Sequence, residues 1–394
     1  MVHCRHTNLY FLGGAPMERH FDRRQFLELG AAFGAVLAAQ AVFPALAKAA
    51  PTRKTLADCQ AMTPVQMADA SPHVAASWTY LRDVAATIRD PQARSVVQAV
   101  LDNPAPTLAA RLADAANRAA VCQELSAKGY VKDATPETLL PPLAAGPDAA
   151  PQPFRSAPGS GYQSHHSYPG GLATHTACNM KLSLAIFDAY RDVYGFDLDR
   201  DTVVVSQMLH DLHKPWVFAW GESGESRPEK PLAGTGEHHP LSVAESIVRG
   251  LPAPMVVAQA CAHNHPGSPK DEAEVVGWIK AAAILAGVDP EAKGLLAPGG
   301  ETLPEPRRME GFVCHLGDHD WVLSVPAAKW CIPVLAAIAR ERYGMSETDL
   351  TAKPFYSFRN YICSQATFMR LYQAYSTEGK AGVAALAEEL VKPV

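Results

Sequence analysis

Between Asp199 and Lys214 the chain reads DRDTVVVSQMLHDLHK, an apolar run that ends on a histidine and an aspartate side by side. The stretch from Val203 to Leu209 predicts burial, so the His210–Asp211 pair is carried into the same interior. Buried ionisable groups are costly unless something pairs with them or binds them. VVVSQML could serve as a buried strand, but its length and helix-forming neighbours predict a helix, capped by Asp199 or Asp201.

The same grammar recurs along the chain. From Thr55 to about Val131, SWTYLRDVAATIRD and TLAARLADAANRAAVCQELSAKGY space apolar residues three and four apart, with prolines between the segments. Residues 135–163 are dense in Pro, Ala and Gly and predict a linker or a long wrapping loop. Helices are expected over GGLATHTACNMKLSLAIFDAYRDVYG, HPLSVAESIVRG, APMVVAQACAHNH and EAEVVGWIKAAAILAG, and again from the loop DPEAKGLLAPGGETLPEPRR to the C-terminus. Alternating strands and internal repeats are absent from the pattern, so the expected class is all-α. The expected divisions are an N-terminal helical region (50–134), a linker (135–163), a metal-binding domain (164–290) and a C-terminal helical region (291–394).

With 48% hydrophobic and 19% charged residues the chain is a folding one. Its net charge of -5 and lack of a long basic run argue against a stable nucleic-acid partner. Residues 1–49 read differently. After Met17 come Arg23-Arg24, then Gln25, Phe26 and Leu27, an uncharged Ala-rich run, and small residues at Ala45, Ala47 and Ala49. This resembles a cleavable twin-arginine export signal, which implies the twin-arginine translocase as a partner during export. The mature chain would begin near Lys48 or Ala50, periplasmic or exported, with no permanent membrane anchor. The cysteines after the leader are scattered, with no CxxC; Cys59 with Cys122 is a possible bridge, and burial as small hydrophobes is the plainer reading.

The histidines gather at helix ends: His165, His166 and His175; His210 and His213 around Asp211; His238 and His239; His263 and His265. Imidazole with carboxylate suits a divalent Fe, Mn, Zn, Co or Ni ion, and the lack of paired thiolates argues against a structural zinc knuckle. HHSYPGGLATHT, MLHDLHKPW, GEHHPLSVAES and AHNHPGSPKDEA together resemble the HD-domain superfamily of metal-dependent phosphohydrolases over roughly residues 160–290.

That resemblance implies a helical core with His175, His210 and Asp211 as ligands, joined by His238 or His239 and by His263 or His265. It also implies hydrolysis of a small phosphate ester, possibly a nucleotide, by metal-activated water. Asp211 would position that water, Lys214 would offset phosphate charge, and His213 or His166 would protonate the leaving group. Two positions depart from the pattern. His213 replaces the family's glycine, and Ala283 stands where the last ligand aspartate is expected, with Asp289, Asp318 and Asp320 as substitutes. The His315–His319 stretch CHLGDHDW is read as a solvated face, and Lys214 as either a phosphate partner or a helix-terminal charge. The alternatives are a di-iron oxygenase of the same superfamily and a metal-binding module without turnover.

Overall fold

The computed structural model describes residues 53–143 and 146–394; the leader with Arg23 and Arg24 lies outside the described residues. Among the described residues the chain is mostly helical and has no sheet core, so the all-α expectation holds. It opens with α1 (Leu56–Ala61), α2 (Pro64–Asp69), α3 (Pro72–Ala86), α4 (Pro91–Asp102), α5 (Leu108–Arg111) and α6 (Ala115–Ala127). Thr55, Thr63, Ser71, Asp90 and Asp114 each accept a backbone N–H at a helix start, and proline occupies the first turn of α2, α3 and α4.

The segment 135–163 wraps against the helices. Leu139, Phe154 and Ala157 are buried in the core, and the Trp216 indole donates to the Pro142 carbonyl at 3.0 Å. The central helices follow: α7 (Gly171–Tyr194), α8 (Arg200–Leu209), α9 (Lys214–Val217), α10 (His238–Val248), α11 (Ala253–Ala260) and α12 (Pro269–Ala286). A minimal antiparallel hairpin, β1 (Pro231–Leu232) with β2 (Thr235–Gly236), precedes α10. The VVVSQML stretch is helix α8, buried on every side. Asp199 is its cap, while Asp201 accepts the backbone N–H groups of Arg89 and Asp90 and ties α8 to the turn before α4. The chain closes with α13 (Glu310–Gly317), α14 (Trp321–Tyr343) and α15 (Lys353–Leu390), the last leaving helical geometry at Thr367 and Gly379.

Two hydrophobic clusters organise these helices. The larger unites residues of α3 to α12, among them Leu81, Val204, Met208, Leu212, Trp216 and Ile279. The smaller joins α14 and α15 to Cys59 and Met67 of the first helices. Cys59 and Cys122 belong to different clusters and are both free thiols, so the bridge between them is not formed. The loop before α7 spans the two clusters, with Ala157 in the larger and Tyr168 in the smaller. That placement holds the loop's histidines against the first turns of α7.

Candidate metal centre

Each site residue arrives at a helix end. Gly170, at φ 86°, turns the loop into α7, and a side chain on Gly171 would collide with the His166 carbonyl oxygen. This close return sets the rings of His165 and His166 5.4 and 5.2 Å from that of His175, centroid to centroid. His210 is the C-cap of α8 and Asp211 lies in the turn that follows. His238 opens α10, His263 lies in the turn after α11, and Asp318 caps the C-terminus of α13.

Asp211 is the centre of the arrangement, and its two carboxylate oxygens face different groups. Oδ2 lies 3.1 Å from His175 Nε2 and 3.1 Å from His210 Nε2. Oδ1 lies 3.4 Å from His238 Nε2 and 3.4 Å from His263 Nε2. Asp318 completes the first group, with Oδ1 3.3 Å from both His175 Nε2 and His210 Nε2. His239 adds to the second: its ring stacks on His263 at 3.5 Å, and His238, His239 and His263 can each bring a ring nitrogen within 4.8 Å of the others.

The surrounding residues orient these groups. His210 Nδ1–H donates to the Gln207 carbonyl at 2.7 Å, which turns Nε2 toward Asp211 and Asp318. Glu229 holds His238 by Nδ1 in the same way, so its Nε2 faces Asp211. Asn179, one turn after His175 on α7, donates to Asp318 Oδ1 at 2.5 Å. Lys214 reaches Asp211 Oδ2 at 2.5 Å and donates to the Gly159 carbonyl at 2.6 Å.

Burial alone would raise the carboxyl pKa values here. His210 and Lys214 nevertheless hold Asp211 well below the carboxylate range, and His210 with His175 does the same for Asp318. Burial opposes protonation of His210, but Asp211 and Asp318 override it and lift this imidazole to about 10. His263 responds mainly to burial and falls to about 4. The cluster thus concentrates two ionised carboxylates in a dry interior, beside a His210 that they hold protonated and a His263 that burial holds neutral. Neither Asp211 oxygen accepts a well-aligned hydrogen bond from the protein. Buried acceptors normally have partners, and nitrogen and oxygen donors converging on orphaned oxygens fit a divalent cation.

The expected residues separate on this geometry. His175, His210, Asp211, His238, His239 and His263 converge. His265 does not: its Nδ1 accepts the Gly267 N–H at 3.0 Å and its ring lies against Phe312 and His315. His213 turns away as well, fully buried with Nε2 3.3 Å from Glu245, because the turn after α8 points it at α10. His166 stays at the edge, its Nε2 2.6 Å from Asp320 and its Nδ1 3.1 Å from the Tyr168 hydroxyl.

Of the three acids expected to substitute at the last position, Asp318 is the one that joins His175 and His210. Ala283 is buried in α12, lining a separate cleft with Arg111 and Lys280, and Asp289 accepts backbone N–H groups in an exposed turn. Within CHLGDHDW Asp318 is buried, at 4% exposure, while His315 and His319, which carried the solvated-face reading, are half-buried and Leu316 is exposed. Asn179, Glu229 and the pairing role of Asp320 were missed from the sequence. Asp318 was among the substitutes named from the sequence, and its place directly after the apolar stretch of α13 was the signal that could have singled it out.

Comparison with known proteins gives a curated relative of part of the chain. The dihydroneopterin 2',3'-cyclic phosphate phosphodiesterase of Methanocaldococcus jannaschii is 32% identical over 100 residues, 25% of this chain. The chain spans about two fifths of that relative's length, 39%. No family model matches the chain. No solved structure matches it either.

Proposed function

We propose that this chain is a metal-dependent hydrolase of a small phosphate ester, with a cyclic phosphodiester as the first substrate class to test. The observation that carries the reading is Asp211, whose two oxygens address two separate sets of imidazoles. His175, His210, Asp211 and Asp318 would hold one divalent ion, and His238, His239 and His263 with the other Asp211 oxygen would hold a second. Bound there, such ions supply Lewis acidity toward a phosphoryl oxygen and lower the pKa of water.

The chain's own residues do the rest. Asp211 fixes the spacing of the two groups. Lys214 and Asn179 keep Asp211 and Asp318 aimed inward, and burial excludes competing water. His166, held by Asp320, stands beside His175 where a leaving group could exit. The relative's printed activity on a cyclic phosphate supports a phosphohydrolase, and the resemblance of the histidine motifs to the HD-domain superfamily supports the metal. The Arg23-Arg24 leader supports export through the twin-arginine route, which carries the chain out of the cytoplasm.

The test is reconstitution of purified protein with Mn, Fe, Co, Ni or Zn in turn, followed by assay on bis(p-nitrophenyl) phosphate and 2',3'-cyclic nucleotides. Turnover that depends on added metal and disappears in Asp211→Asn is the expected result. Equal turnover in the variant, or none on any phosphate ester, would sink the proposal. For export, a double Arg23→Lys, Arg24→Lys variant should stay unprocessed in the cytoplasm.

A further inference from the structure

The loop that carries His165 and His166 into α7 is held in an unfavourable shape. Gln163 at φ 68° and His166 at φ 52° both lie in the left-handed region without being glycine. Such a conformation persists only where the surroundings enforce it. Part of the enforcement is local: the His166 carbonyl accepts the N–H groups of Gly159 and Tyr168, and the Ser167 hydroxyl donates to the Ser164 carbonyl at 2.7 Å. The rest comes from far along the chain. Arg359, near the start of α15, is fully buried, and its Nη2 donates to the Ser167 carbonyl at 2.5 Å and to Asn360 Oδ1 at 3.0 Å. Its guanidinium carbon lies 4.3 Å from the centre of the Tyr162 ring, which meets Tyr356 edge-on at 5.1 Å. One side chain thus grips the loop at two points, on either side of Gln163 and His166.

The grip uses a group that packing alone does not call for. Among the described residues no carboxylate pairs with Arg359, and its Nε and Nη1 make no hydrogen bond. A buried cation left partly unsatisfied destabilises a fold, and an apolar side chain of similar volume would serve the packing as well or better. What the guanidinium adds is direction, because its planar fork fixes the carbonyl it holds. That carbonyl belongs to Ser167, between His166 and Tyr168. The Tyr168 hydroxyl in turn reaches His166 Nδ1 at 3.1 Å and Thr174 Oγ1 at 2.9 Å.

We propose that Arg359 is a positioning residue for His166: by clamping Tyr162 and Ser167 it sets this imidazole against Asp320 and beside His175. The inference rests on the hydrolytic reading and deepens it, since it ties the clamp to substrates whose leaving oxygen needs a proton. As the P–O bond to that oxygen breaks, the His166–Asp320 pair gives it a proton. The water whose oxygen bonds to phosphorus gives one up in exchange. Arg359 touches none of the reacting atoms; it acts through the loop.

The test compares Arg359→Met with the wild type on two esters, both proteins loaded with the same metal. Bis(p-nitrophenyl) phosphate releases a nitrophenolate that leaves without a proton, whereas a 2',3'-cyclic nucleotide releases an alkoxide that needs one. The variant should lose roughly 10²-fold in kcat on the cyclic nucleotide and less than about tenfold on the nitrophenyl ester, at unchanged metal content. His166→Gln should show the same split, and the double variant should be no worse than His166→Gln alone. Equal losses on both esters, no loss on either, or loss of metal would overturn the inference. Arg359→Lys keeps a buried cation without the fork; it should show the same selective loss and is the variant to read where Arg359→Met does not fold. Histidine-labelled NMR separates the clamp from the chemistry. The proton between His166 and Asp320 should resonate far downfield in the wild type and be lost in the Arg359 variant. A wild type that turns over neither ester would sink the hydrolytic reading alone; a downfield signal that persists in the variant would overturn the clamp.

Discussion

Two buried histidine–carboxylate groupings start from the same nine residues, MLHDLHKPW, and are built in opposite ways. His213 points at Glu245, and Glu245 is saturated by the protein. It accepts the Thr107 and Leu108 N–H groups, the Thr107 hydroxyl at 2.5 Å and the Arg249 guanidinium at 2.7 Å. Three residues earlier His210 points at Asp211, which meets converging ring nitrogens and Lys214 but no well-aligned hydrogen-bond donor. Both acids are buried to the same degree. The difference lies in who satisfies them: Glu245 is complete and braces α10 against α5, whereas Asp211 meets Lys214 and four ring nitrogens without a well-aligned hydrogen bond on either oxygen. Burial and a perturbed pKa do not by themselves identify a site; an unmet demand for a partner does.

That contrast can be broken at four points. Asp211→Asn keeps the volume but removes the charge, so metal content and metal-dependent turnover should both be lost, with helical content by circular dichroism unchanged. A variant that retains metal would make Asp211 a second Glu245.

Glu245→Gln should leave metal content alone and cost stability instead. His213, Thr107 and Arg249 hold Glu245 at about 2 against the burial that raises it, below the ordinary value of 4.5. A depressed carboxyl contributes stability above its unfolded pKa and loses it as pH falls. The wild type should therefore exceed the variant by about 3 kcal/mol at neutral pH, shrinking to nothing between pH 4.5 and about 2. Urea melts across that range check it; a gap that does not change with pH would contradict the account.

Asn179→Ala should weaken metal binding by roughly 10–100-fold while leaving the ligands in place, the usual effect of losing a group that only orients them. Titration calorimetry reads this directly, and an unaltered affinity would show that Asp318 needs no such support. The smallest effect on metal belongs to Ala283→Asp. It should bind no additional ion and should cost roughly 1–3 kcal/mol for a polar group placed in a packed helix. An increase in metal content would restore position 283 as a ligand site.

Much of this contrast was legible in the sequence. The helix periods gave the all-α class, and α7 begins and ends within a residue of its expected glycines. His175, His210, Asp211, His238, His239 and His263 stood out because imidazoles at helix ends are rarely accidental. The choice between His263 and His265 was not legible, since it depends on how the turn after α11 aims two neighbouring rings. His213 was equally hidden: it shares the motif with His210, and only the turn after α8 sends it to Glu245. Asp318 was obscured by order along the chain. The last acid was expected on the helix after the histidine turn, but a loop between α12 and α13 intervenes and α13 brings the acid instead. Sequence spacing measures contour, and the site is assembled by packing.

The most direct test of the account is the number of ions bound per chain, measured by inductively coupled plasma mass spectrometry on protein loaded with one metal. Two ions are predicted for the wild type, one for Asp318→Asn and one for His263→Ala, and none for Asp211→Asn. A wild type with a single ion that survives His263→Ala, or Asp318→Asn protein that still binds two, would contradict the claim that Asp211 bridges two sites.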